Sequence, residues 1–95
     1  MRLELTQAAL ADLRSIRRYT LKRWGKAQEQ HYIDLIWRKF SDLQATRDRC
    51  RFRNDLFPNC QVAAVEKHVV LFRVQADTLQ VVRVLHGAMD FSRHF

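Results

Sequence analysis

The stretch from His68 to His86 constrains this chain more than any other. Val69 to Val74 and Leu79 to Leu85 are rich in β-branched and aromatic residues, and Ala76-Asp77-Thr78 lies between them as a turn. Two such runs so close in sequence predict an antiparallel hairpin. Both are apolar on both faces, which predicts central rather than edge strands.

Side chains alternate faces along a strand, so register decides what the charges do. A three-residue loop pairs Gln75 with Leu79. Val70, Phe72, Val74, Val82 and Val84 then form a purely apolar wall, flanked by His68 and His86. Arg73 and Arg83 share the opposite face with Val69, Leu71, Val81 and Leu85. Two readings follow for these arginines. They form an anion site on an open face, or they lay their stems over apolar surface.

Ninety-five residues make one domain, 1–95. An apolar fraction of 47% provides a core, and 2 Gly with 1 Pro argue against disorder. The formal charge of +7 favours an anionic partner: nucleic acid, an acidic protein segment or an anionic membrane surface. No run approaches the ~18 apolar residues of a membrane span, and Met1–Gln7 lacks the apolar core of a secretory signal. The expectation is a cytoplasmic protein that does not engage the membrane, with Cys50 and Cys60 as reduced thiols. No C-x-x-C or H-x-x-x-H spacing occurs, so neither a metal nor another cofactor is expected.

Arg2 to Leu5 alternates polar and apolar, as an added strand would. Thr6 is placed to cap a first helix, whose stripe runs through Ala9, Leu13, Ile16, Thr20 and Trp24. Arg14, Arg17, Arg18, Lys22 and Arg23 fall largely off that stripe, and Gly25 stands where a terminating glycine belongs. A second helix spans Lys26 to Ala45, with Tyr32, Leu35, Ile36, Lys39 or Phe40, and Leu43 on its apolar face. The short link makes an antiparallel helical hairpin. Trp37, beside the stripe, is either a partner-binding residue or an amphipathic side chain at a core margin.

Arg47, Arg49, Arg51 and Arg53 alternate with other residues, as a phosphate-tracking strip or as a solvated loop. Gln61 to Val65 resumes strand composition. The predicted order is β-α-α-β-β-β, an α+β fold with a helical hairpin on a small antiparallel sheet. Residues 88–95 form a last helical turn or a tail.

No P-loop, dinucleotide fingerprint, zinc-protease motif or nucleophile elbow occurs. Metal-free phosphodiester cleavage would need a cation for the phosphate, an acid and a base. Arg73, Arg83 and His86 offer the first two roles, but a base is less obvious.

The chain resembles the ParE toxins of type II toxin–antitoxin modules, within the ParE/RelE superfamily. The residues that carry the resemblance are Ile16-Arg-Arg-Tyr19, Trp24-Gly25, the Tyr32/Leu35/Phe40/Leu43 helix, His68-Val-Val-Leu-Phe-Arg-Val74, Leu79 to Asp90 and Arg93-His94. The order and spacing across nearly the whole chain make it specific. The resemblance implies the same architecture and a basic toxin that inhibits DNA gyrase by binding, with no catalytic site of its own. It implies a cognate acidic, ParD-like antitoxin and a hetero-oligomer with it. Target-binding candidates are Arg73, Arg83, His86, Met89, Asp90 and Arg93. Antitoxin-binding candidates are Trp24, Tyr32 and Trp37, on the helical hairpin near the sheet edge. The alternatives are a RelE-type ribosome-dependent mRNA endoribonuclease using Arg73, Arg83 and His86, or a non-toxic member that only binds its antitoxin. Gln61 stands where many relatives have arginine, and Glu66-Lys67 replaces a glycine-containing turn.

Overall fold

The computed structural model describes residues 1–95. Its order is β1 (Arg2–Leu5), α1 (Gln7–Trp24), α2 (Lys26–Ala45), β2 (Arg51–Phe52), β3 (Gln61–Val65), β4 (His68–Gln75), β5 (Thr78–His86) and a short 3₁₀ turn (Phe91–His94). The strands form one sheet in the order β1-β5-β4-β3-β2. The fold is α+β. From β2 to β5 the sheet is antiparallel; β1 joins β5 in parallel, so the sheet as a whole is mixed.

Local chemistry explains the helix ends. Thr6 Oγ1 accepts from the Ala9 N–H at 3.0 Å and donates to the Val82 carbonyl at 2.7 Å. One hydroxyl therefore caps α1 and fastens it to β5. Gly25 ends α1 at φ +92°, its N–H bonded to the Leu21 carbonyl, and its own carbonyl accepts from the Glu29 N–H to start α2. No atom crowds a Cβ at that position, so glycine is needed there for its backbone freedom rather than for space.

The two helices bury one stripe each. On α1 these are Ala9, Leu13, Ile16 and Thr20; on α2 they are Glu29, Ile33, Ile36, Phe40 and Leu43. Ile33 is therefore a core residue, while Tyr32 and Leu35 pack at its margin. Trp24 continues the α1 spacing but is 63% exposed. The reversal at Gly25 leaves residues 21–28 all on the surface, with nothing packed over the last turn of α1.

The register of β4 and β5 follows expectation from His68↔His86 to Leu71↔Arg83 and then slips by one. Phe72 pairs with Val81, which leaves Val82 without a partner in a bulge, and the loop shortens to Ala76-Asp77. The slip corrects the expected wall. Leu79 and Val81 join Val70, Phe72 and Val84 in the core, and Val82 does not. A bulge exchanges the face of every side chain beyond it. Here it turns two large apolar residues of β5 toward the helices. Both two-residue hairpin turns hold their first residue left-handed, Glu66 at φ +53° and Ala76 at φ +52°.

The second face of the sheet is not open. Leu56, Cys60, Leu71 and Leu85 form a smaller core there, joined by Phe57, Val62, Val69 and Phe91. The 53–60 loop and the C-terminal turn thus cover the face on which the two arginines were expected. The 47–53 stretch is mostly loop; its only strand is the two-residue β2. Buried Gln61 holds this loop, its amide Nε2 donating to the carbonyls of Arg47 at 3.3 Å and Cys50 at 3.2 Å.

Candidate functional site

The two arginines of the central hairpin have separate partners. β1 pairs with β5 only over Thr78–Val81. Beyond it the edge of β5 meets α1, and Asp12 fills the gap. The Asp12 carboxylate accepts from Arg83 Nε and Nη2, both at 2.7 Å, and from the Val84 N–H at 2.9 Å. This bidentate bond pushes the Arg83 pKa up and keeps the guanidinium charged. Arg73 donates to Gln80 at 2.8 Å, Gln80 donates to Glu4 at 2.7 Å, and the Arg73 guanidinium lies 6.0 Å from the Phe57 ring centre. Arg83 keeps its expected place opposite Leu71, and the bulge beyond it sets Arg73 opposite Gln80. The expected two-arginine site on one open face is not formed.

A different cluster does form, at the open end of the hairpin. His68 and His86 are paired residues with ring centres 5.4 Å apart, edge to face. Tyr32 of α2 meets His68 in the same way at 5.4 Å, with its Oη 2.6 Å from His68 Nδ1. The Lys67 N–H donates to that Oη at 3.2 Å, so the tyrosine proton is assigned toward His68. His68 then accepts at Nδ1 and carries its proton on Nε2. The Ala88 N–H donates to His86 Nδ1 at 3.1 Å, which assigns the same tautomer to His86. Burial and then the neighbouring His86 push the His68 pKa down, against a smaller upward pull from Asp12. Burial pushes the Tyr32 hydroxyl up, partly offset by the Lys67 N–H. The Tyr32–His68 bond and the Lys67 N–H staple α2 to the β3–β4 turn.

This cluster lies along an open groove of about 970 Å³ between the C-terminal half of α1, the N-terminal half of α2 and the β3–β4 turn. Tyr19 and Trp24 stand on one side, both more than half exposed. Arg23, His31 and Lys67 supply basic groups to the same lining, and Glu66 is its one carboxylate. Arg23 lies 5.7 Å over the Trp24 ring. Of the residues singled out in the sequence, Trp24, Tyr32, His86 and Met89 line the groove. Trp37 lies outside that lining, edge-on to Phe40 at 5.1 Å. Asp90 accepts from the N–H and hydroxyl of Ser92, and Arg93 stands 3.6 Å from Asp90 at the surface.

Burial pushes the Cys60 thiol up to about 11 and raises that of Cys50, so both stay protonated near neutral pH. Cys50, Cys60, His68 and His86 do not gather into a group of three or more metal-ligand side chains. No helix is long and apolar enough to cross a membrane.

Sequence reasoning missed Asp12 and the pairing of Tyr32 with His68. The signal for Asp12 was its isolation, as the only carboxylate on a helix with five cations. Nothing local pointed to the Tyr32–His68 pairing, because the two residues lie 36 apart in sequence.

The comparisons with known proteins agree with this architecture. The sequence profile of the ParE toxin of the type II toxin–antitoxin system parDE matches residues 3–91. The chain is 38% identical over 87 residues to Toxin ParE of Escherichia coli, covering 90% of this chain and 84% of that protein. It is 31% identical over 91 residues to Toxin ParE1 of Mycobacterium tuberculosis, covering 95% and 93%. A chain of a solved structure described as a chromosomal ParDE TA system from P. aeruginosa superposes with a TM-score of 0.78 at 23% identity. It covers 90% of this chain and 95% of that one, and it shows the shared fold. With its helical hairpin on a five-stranded sheet and a profile match over nearly its whole length, the chain belongs to the ParE toxin family of type II toxin–antitoxin systems.

Proposed function

We infer that this toxin acts by binding DNA gyrase, without a catalytic step of its own, and that a cognate acidic antitoxin neutralises it. One observation carries the binding reading. Arg83, the residue an mRNA-cleaving relative would need for the phosphate, is held by Asp12 in a bidentate ion pair whose side chains are only 19% and 12% exposed. Asp12 takes the Nε–H and one Nη2–H of this guanidinium and offsets its charge, which weakens it as the cation for a transferring phosphoryl group.

For the antitoxin, the groove between α1 and α2 supports a partner segment that mixes apolar and acidic residues. Apolar side chains would lie against Tyr19, Trp24 and Tyr32, and carboxylates would meet Arg23 and Lys67. The toxin and its antitoxin then form a hetero-oligomer, with charge complementarity between a basic protein and an acidic tail.

The test is a gyrase supercoiling assay with antitoxin-free protein, run beside ribosome-dependent mRNA cleavage. The expected outcome is blocked supercoiling with intact mRNA, restored by added antitoxin. The Trp24→Ala protein is expected to need about tenfold more antitoxin for the same rescue, the loss of one buried aromatic anchor. Cleaved mRNA with unaffected gyrase would overturn the binding reading in favour of RelE-type chemistry.

A further inference from the structure

The outer face of α1 carries a row of cations that the fold does not use. Arg14, Arg18 and Lys22 recur every four residues, so they stand in line about 6 Å apart along the helix. All three are exposed, and none has a carboxylate partner within ion-pair distance. The two other cations of α1 are engaged: Arg17 stands 3.5 Å from buried Glu29, and Arg23 lies over Trp24. The helix has one carboxylate, Asp12, and Arg83 with the Val84 N–H occupies it. Nothing on α1 therefore offsets the row.

Like charges four residues apart on a helix repel and weaken it. A row of three has no structural return in this fold, since none of the three side chains packs in either core. The repulsion is relieved by a ligand that presents anions in a line. A nucleic-acid backbone does so, and neutralising it releases counterions into solution. An acidic protein segment would need apolar anchors along its charges; the exposed aromatics Tyr19 and Trp24 reach the Lys22 end of the row, but Arg14 and Arg18 stand outside both hollows that those aromatics line.

We propose that the Arg14–Arg18–Lys22 row of α1 is a sequence-independent docking site for the phosphate backbone of duplex DNA. The site is separate from the groove and from the Tyr32–His68–His86 cluster. It belongs to the chain alone, so it stands whether or not gyrase is the target.

The experiment is fluorescence anisotropy of the purified full chain with labelled duplexes of two unrelated sequences, from about 50 to about 200 mM salt. The expected result is equal affinity for both sequences. Three neutralised phosphates contribute roughly 2.7 to the slope of log K against log salt. Replacing the row by Arg14→Gln, Arg18→Gln and Lys22→Gln removes that part of the slope, and glutamine keeps the helix. A control with Arg38→Gln, Arg49→Gln and Arg51→Gln loses the same charge from other exposed positions and is expected to retain the steep slope. Circular dichroism verifies that both variants fold. Equal weakening in the two triples would make net charge rather than the row responsible and overturn the proposal. So would failure of the wild-type chain to bind duplex DNA, or binding through the row to polyglutamate or anionic vesicles in preference to DNA.

Discussion

His68 shows how one side chain ties folding to pH. It is half-buried, accepts the Tyr32 hydroxyl and faces His86. Its folded pKa lies below the ordinary 6.5 because burial and His86 both disfavour the cation. Between the folded value and 6.5, the unfolded chain takes up a proton that the folded chain refuses. Stability is therefore lost as pH falls from 6.5 toward the folded pKa, and this loss levels off below it. The titratable and charged groups around the ring are Tyr32 on α2, His86 on β5, Asp12 on α1, and Glu66 and Lys67 in the adjoining turn. The expected outcome is a melting temperature that drops between about pH 7.5 and about pH 5, with a shallower drop for His68→Asn. Parallel pH profiles for the two proteins would remove His68 from this role.

At the scale of elements, the weak point is the edge of β5 beyond the short β1. Elsewhere that edge has a strand beside it. Past Val81 it has only Thr6 and Asp12, whose side chains satisfy the Val82 carbonyl and the Val84 N–H. Asp12 thus joins α1 to the sheet at the point where strand pairing ends, and holds Arg83 with the same carboxylate. Removing one partner of a well-shielded ion pair leaves the other charge without compensation. Asp12→Ala is therefore expected to cost about 3 kcal/mol, read by urea unfolding. Asp12→Asn keeps an acceptor for the Val84 N–H and is expected to lose less. A loss under about 0.5 kcal/mol for Asp12→Ala, the size of an ordinary surface change, would show that the joint is held by packing instead.

At the scale of the whole molecule, the toxin is a small domain with two unequal cores, one between helices and sheet and one beneath the 53–60 loop. A domain of this size has little stability to spare, so a partner that binds only the folded state changes its stability measurably. Antitoxin at about a hundred times its Kd is expected to add about 2.7 kcal/mol, a rise in Tm on the order of 10–20 °C for a chain this long. Trp24→Ala is expected to shrink that rise while leaving the Tm of the free toxin nearly unchanged, because Trp24 packs in neither core. An undiminished rise would place the antitoxin elsewhere on the surface.

Local composition and spacing were enough for β1, both helices and the three longer antiparallel strands in their order, but not for the two-residue β2. Both ends of α1 and the start of α2 were legible because Thr6 and Gly25 act on neighbours within four residues. The central hairpin was legible because β-rich runs and a turn lie side by side. The groove was partly legible, through Trp24, Tyr32, His86 and Met89, but not as one surface. The tertiary structure alone decided the bulge at Val82, the parallel pairing of β1, and the burial of the sheet's second face. It also decided the fate of Arg83, whose partner Asp12 lies 71 residues away. The physical reason is range. Caps, turns and periodicity are interactions between near neighbours, whereas register and ion pairing depend on which distant segments the core brings together.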